Sequence, residues 1–137
     1  MTQKYIEGDI VEYDNKVMVI KEPRDVSHFD LSYPKEGLVY CFVGVDDIKP
    51  VVLTPEILEK NGWKFLKHHK RNSYDDVSWD SYHKPTETKI SLIFYQEEEA
   101  FFPFLYTQEI SEKPIRYIHQ LQHLLFGLGL NHEMKVY

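Results

Sequence analysis

Two groups of residues in this sequence have types and spacing that could do chemistry. The first is the histidine pair of His119-Gln120-Leu121-Gln122-His123, four residues apart and therefore on one side of a helix. Imidazoles at that spacing suit zinc or nickel, and His132 supplies a third donor downstream. The pattern is one residue short of the H-E-x-x-H of zinc proteases, in which the glutamate is the general base. Here that position is Gln120, whose amide cannot take up a proton at any useful pH. What remains open is a non-catalytic metal site of His119, His123 and His132. The plain alternative is a pair of solvated polar residues on the outer side of a helix that covers a core.

The second group is basic. Lys64, Lys67, His68, His69, Lys70 and Arg71 concentrate positive charge in a chain whose net charge is −6, and Trp63, Tyr74 and Trp79 lie close by in sequence. Cations beside aromatic faces are what phosphate-bearing nucleotides and single strands bind to. The plain alternative is a solvated, lysine-fringed segment. A third set, Asp75-Asp76, Asp80 and Glu97-Glu98-Glu99, has no calcium-loop spacing and reads as charged turns.

Elements that would position these groups can be read from periodicity and turn chemistry. Ile10–Tyr13 and Val17–Ile20, joined by Asp14-Asn15-Lys16, read as a hairpin. The stretch from Gly8 to Ile20 also looks like the start of a small SH3-like barrel. Residues 23–34 read as a loop. Leu38 to Val45 is a near-continuous apolar run and the candidate for the centre of a sheet, with Cys41 buried in it. Thr54-Pro55-Glu56 opens a short helix that Asn61-Gly62 stops. Residues 64–88 read as an irregular basic and aromatic loop. Residues 89–106 read as a hairpin in which Pro103 demands an edge or a bulge. An amphipathic helix over 113–128 closes the chain. It points Ile115, Ile118, Leu121 and Leu125 inward and His123 to water, with His119 at the border.

These elements predict one α+β domain over residues 1–137. An SH3-like antiparallel β-meander or barrel (1–53) is followed by a short helix (54–63), the irregular loop, a hairpin and a C-terminal amphipathic helix packed on the sheet. A 42% hydrophobic and 28% charged composition is globular, and the 15% aromatic share favours strands. One cysteine rules out an internal disulfide and a cysteine-based zinc cage. The apolar runs fall short of a membrane span and the N-terminus lacks a signal-peptide core, so the expectation is a cytoplasmic protein without membrane contact. Its acidity argues against general nucleic-acid binding. No P-loop, G-x-G-x-x-G or G-x-S-x-G motif occurs, and no cofactor is implied.

Two segments carry a family look. The first, Ile48 to Trp63, reads I-K-P-V-V-L-T-P-E-I-L-E-K-N-G-W; the second, Ile115 to Phe126, reads I-R-Y-I-H-Q-L-Q-H-L-L-F. In that order they resemble short proteins encoded by phages and prophages of Bacteroides-type bacteria. The resemblance implies a cytoplasmic accessory protein and supplies no activity. With it, the reading is a non-enzymatic protein that binds a host or assembly protein through the segment from Trp63 to Tyr82. The alternative is a counter-defence protein that sequesters a phosphate-bearing nucleotide messenger. Either role leaves room for a homo-oligomer.

Overall fold

The computed structural model describes residues 5–70, 78–84, 90–95, 98–105, 108–110 and 113–135, with only the backbone at 67, 69, 70 and 78. The chain forms two compact units where one domain is expected. The first joins Met1–Val52 to Tyr117–Tyr137, and the second is Leu53–Arg116. The architecture is α+β, built on two antiparallel sheets.

In the first unit, β1 (Ile10–Tyr13) turns into β2 (Lys16–Asp25) through Asp14-Asn15, both at positive φ (53° and 60°). Two such residues make the hairpin turn whose twist matches the strands, as Asp and Asn there predict. Next come β3 (His28–Tyr33), β4 (Leu38–Gly44), a 3₁₀ turn (Val45–Asp47) and β5 (Lys49–Pro50), in the order β4-β3-β2-β1-β5. The outer strands β4 and β5 do not pair with each other, so the sheet is open and no barrel closes. Residues 23–34 are therefore mostly strand rather than loop. Alternate residues Met18 and Ile20 of β2 and Phe29, Leu31 and Tyr33 of β3 bury one face, joined by Tyr5, Val11, Val43 and Ile48. Consecutive Ile10 and Val11 are both buried, so β1 is covered on both faces.

The helix α2 (Ile118–Gly127) begins five residues later than its periodicity suggests. Val52 and Tyr117 form a β-bridge, and Ile118 N–H donates to Val51 C=O (2.9 Å). In the second unit, Ile115 exchanges both backbone hydrogen bonds with Phe101 (2.7 and 2.8 Å). Backbone committed to strand pairing cannot also be helical, so the helix waits until Gln120 Oε1 accepts the Tyr117 N–H (3.1 Å). Ile118, His119, Leu121, Gln122 and Leu125 form the buried face.

The second unit opens with α1 (Pro55–Lys60), capped as its sequence predicts: Ile57 N–H donates to Thr54 Oγ1 (3.3 Å), and Gly62 leaves at φ 87°. The expected irregular loop is instead two strands, β6 (Lys64–Lys70) and β7 (Ser78–His83). They continue into β8 (Ile90–Tyr95), β9 (Ala100–Leu105) and β10 (Gln108–Glu109), giving the order β10-β9-β8-β7-β6. Pro103 sits opposite Leu92, and its C=O accepts Ile110 N–H (3.1 Å). A strand residue's N–H and C=O point to the same edge, so proline's missing donor also faces away from β8. Tyr82, Leu92 and Phe101 fill this core, with Phe94 against Phe101 at 4.7 Å. No helix among the described residues is long and apolar enough to cross a membrane.

The cap carries a measurable share of α1. Thr54→Ala removes the acceptor for Ile57 N–H and is expected to cost about 1 kcal/mol in urea denaturation, with Thr54→Ser close to wild type.

Candidate functional site

The histidine helix meets the N-terminal turn. Gly8, at φ 94°, lets the chain reverse so that Gly8 N–H donates to Ile20 C=O and Ile20 N–H donates to Asp9 C=O (2.8 and 2.9 Å). Asp9, fully buried, accepts Ile6 N–H on Oδ2 (2.9 Å), and the same oxygen lies 2.6 Å from His123 Nε2. Its Oδ1 has no hydrogen-bond partner among the described residues. Gln122, also fully buried, accepts Ile10 N–H (2.8 Å) and donates to the carbonyls of Gly8 (2.6 Å) and His132 (3.0 Å). One side-chain amide thus closes three backbone groups from the two ends of the unit.

This corrects the reading of His119 and His123 as a solvated pair. His119 is buried against Tyr5 at 5.1 Å, and His123 is half-buried on Asp9. Their rings approach to 5.5 Å, and the His132 ring stands edge-on to Phe126 at 5.1 Å. A Cβ on Gly8 would come within 3.2 Å of His132 Nε2, so this glycine is held by contact as well as by φ. Among the described residues no group of three or more His, Cys, Asp or Glu could hold a metal. Burial, followed by the Asp9 charge, raises the Tyr5 phenol above its ordinary pKa. Beside the turn, a shallow cavity of about 340 Å³ is lined by Ile6, Glu7, Gly8, Phe126, His132 and Glu133.

The basic cluster resolves into an edge strand. Lysines at 64, 67 and 70 recur along β6, the last strand of the second sheet. Regularly placed lysine is a common way to keep an exposed edge from pairing with another chain. Trp63, read as a ligand contact, is 1% exposed and belongs to the core, as does Tyr82. His68 Nδ1 lies 2.5 Å from Asp80 Oδ1 on β7, and Trp79 leans on Tyr95 (6.0 Å). Lys64 is exposed, as are Phe65 and Leu66. The side chains of Lys67, His69 and Lys70, and all of Arg71 and Tyr74, lie outside the described residues, as do Asp75, Asp76 and Glu97 of the acidic set.

The third feature is one that composition hides. Leu38 to Val45, expected at the centre of a sheet, holds the edge strand β4, and Cys41, expected inside, is exposed. Leu38, Val39 and Phe42 are 44%, 45% and 58% exposed. The register slips at Asp30, so that Cys41 and Phe42 bulge outward between the Leu31↔Tyr40 and Phe29↔Val43 pairs. Phe42 sits at φ 57°, a left-handed conformation that costs a bulky residue about 1–2 kcal/mol. It is held there from two sides. Its N–H donates to Asp30 Oδ1 (2.9 Å), and its ring stacks flat on His28 at 4.0 Å. Asp30, 3% exposed, is gripped in turn by Arg24 Nε (2.7 Å). His28 Nδ1 lies 2.9 Å from Asp25, whose carboxyl is pulled below its ordinary range by Ser27 N–H and then by His28.

Comparison of the chain with protein-family models, curated proteins and solved structures finds no match. Asp9, Gln122, Asp30 and Phe42 were not singled out by type or spacing. Each acts through backbone groups that the fold alone brings to it. The usable signal was Gly8-Asp9, which marks a sharp turn, and the absence of charge from 38 to 44.

Two outcomes follow. Gln122→Leu strands three backbone groups and should cost about 3 kcal/mol by chemical denaturation. The Asp30 carboxyl is held below its ordinary range by the Arg24 hydrogen bond first and Phe42 N–H second, against burial. A carboxylate whose pKa falls on folding stabilises the fold above its unfolded value of about 3.9, and the contribution fades as pH drops through the folded value. Asp30→Asn should therefore have a lower urea midpoint than wild type at neutral pH, with the gap narrowing as the pH falls below the ordinary carboxylate range.

Proposed function

We propose that the protein is a non-enzymatic, phage-type accessory protein that works in the host cytoplasm by binding a host or assembly protein. The observation that supports this reading is where the exposed hydrophobics gather. Half of the large ones among the described residues, Leu38, Val39, Phe42, Phe65 and Leu66, lie on β4 and β6, the outer strands of the two sheets. Apolar side chains massed on an outer strand, rather than scattered singly, mark protein contacts. The β1-to-β4 meander is the part of the chain on which an SH3-like comparison rests. The nucleotide-sequestering alternative draws less support, because Trp63 is in the core and His68 is engaged by Asp80.

Capture from a lysate of Bacteroides-type cells on the immobilised full chain tests the reading. The expected result is one protein retained at near-equal stoichiometry, with retention lowered by Val39→Lys at unchanged melting temperature. Retention of nothing by folded protein overturns it, and so does stabilisation by nucleotides alone in a thermal-shift screen.

A further inference from the structure

A sheet edge is a row of backbone donors and acceptors that another strand can complete, and proteins blunt such rows by shortening them, charging them or covering them. The two sheets here have four ends, β4, β5, β6 and β10. Strands β5 and β10 are two residues long, too short to template anything. Strand β6 carries its three lysines. Strand β4 is neither short nor charged: Leu38-Val39-Tyr40-Cys41-Phe42-Val43-Gly44 is seven residues without a charge. In a chain with 28% charged residues, about two would be expected in a stretch of that length. Its one irregularity, the bulge at Cys41 and Phe42, turns an aromatic ring outward instead of hiding it.

We infer that β4 is the docking edge for one extended, uncharged segment of the protein partner, which adds to the first sheet as a sixth strand. The inference rests on the protein-binding reading above and names the kind of partner. Main-chain hydrogen bonds supply affinity in this mode, and side chains at alternate positions supply specificity. A charged residue set against Leu38, Val39 or Phe42 would lose water without gaining a partner, so the incoming segment is uncharged over about six residues. Phe42 is its anchor. The Asp30 hydrogen bond and the His28 stack fix the ring before any partner arrives, which spares the ordering cost of binding.

Charge and area distinguish such a segment from a second copy of the chain. At the far end of β4, Asp46 and Asp47 are exposed, and Asp47 Oδ2 lies 3.6 Å from where a Cβ on Gly44 would stand. Two copies, each at −6, repel, whereas a segment ending in lysine or arginine meets these carboxylates favourably. Leu38, Val39 and Phe42 together offer on the order of 300 Å² of exposed apolar surface, against ~800 Å² per partner in a stable interface. That suits a peptide strand and is too little for a dimer.

The probe is a synthetic peptide, acetyl-Thr-Val-Thr-Val-Thr-Val-Lys-Lys-amide, titrated into the ¹⁵N-labelled full chain and read by amide shifts and hydrogen exchange. Saturable shifts and slowed exchange confined to residues 38–44 are expected. Affinity should fall at least ~10-fold when alternate peptide nitrogens are methylated, since only strand pairing needs those donors. Val39→Lys should weaken binding by a similar factor, and Phe42→Gly, which relieves the positive φ while removing the ring, should do so without loss of melting temperature. Unchanged β4 amides at millimolar peptide overturn the inference. So does binding indifferent to methylation, or self-association through β4 without peptide. If Val39→Lys captures the lysate partner as well as wild type does while β4 ignores the peptide, strand addition fails and the protein-binding reading stands. An empty lysate capture sinks that reading whatever the peptide does.

Discussion

Backbone groups at the end of a sheet must be paired, hidden or guarded, and much of this molecule is arranged by that requirement. The residues before α2 are spent closing edges: Ile115 pairs with Phe101 in the second unit and Tyr117 with Val52 in the first. Pro103 turns its missing donor toward the same outer side of β9, where an N–H would otherwise need a partner. The lysines that first suggest a phosphate site lie along the last strand of the second sheet. Among the described residues, β4 is the outer strand that is both long and free of charge.

Side chains complete the accounting where strands cannot. Gln122 is the clearest case, satisfying Ile10 N–H and the carbonyls of Gly8 and His132 from one buried amide. Asp9 and His123 do the same for the turn that leads into β1. At the other end of that sheet, Asp30 takes the Phe42 N–H that the bulge releases from the ladder. A polar group in such a place costs little while all its bonds are made and a great deal when one is lost. These residues are structural, and they hold the N-terminal turn and the outer strand in fixed positions.

Local chemistry made much of the fold legible. Asp14-Asn15 announced a tight hairpin, Thr54-Pro55 with Asn61-Gly62 bounded α1, and the runs on either side of Glu97-Glu98-Glu99 became β8 and β9. What stayed hidden depends on partners far away in sequence. An apolar run such as Leu38 to Val45 reads the same whether neighbouring strands bury it or leave it outside, so its edge position could not be seen. Gln122 and His119 look solvent-facing by type, and only contacts with Gly8, Ile10 and Tyr5, more than a hundred residues earlier, make burial tolerable. Helical phase placed Ile118, Leu121 and Leu125 correctly but could not foresee that Ile115 would be drawn into a β-bridge. The open first sheet and the division into two units follow from pairings that no short window contains.

The central claim is that the charge-free edge β4, and not the lysine-guarded edge β6, is where a partner attaches. Hydrogen-exchange mass spectrometry of the chain in complex with a protein captured from lysate, compared with the free chain, addresses this directly. The account predicts slowed exchange across residues 38–44 in the complex, with residues 64–70 unchanged. Protection at 64–70 with none at 38–44 would contradict it.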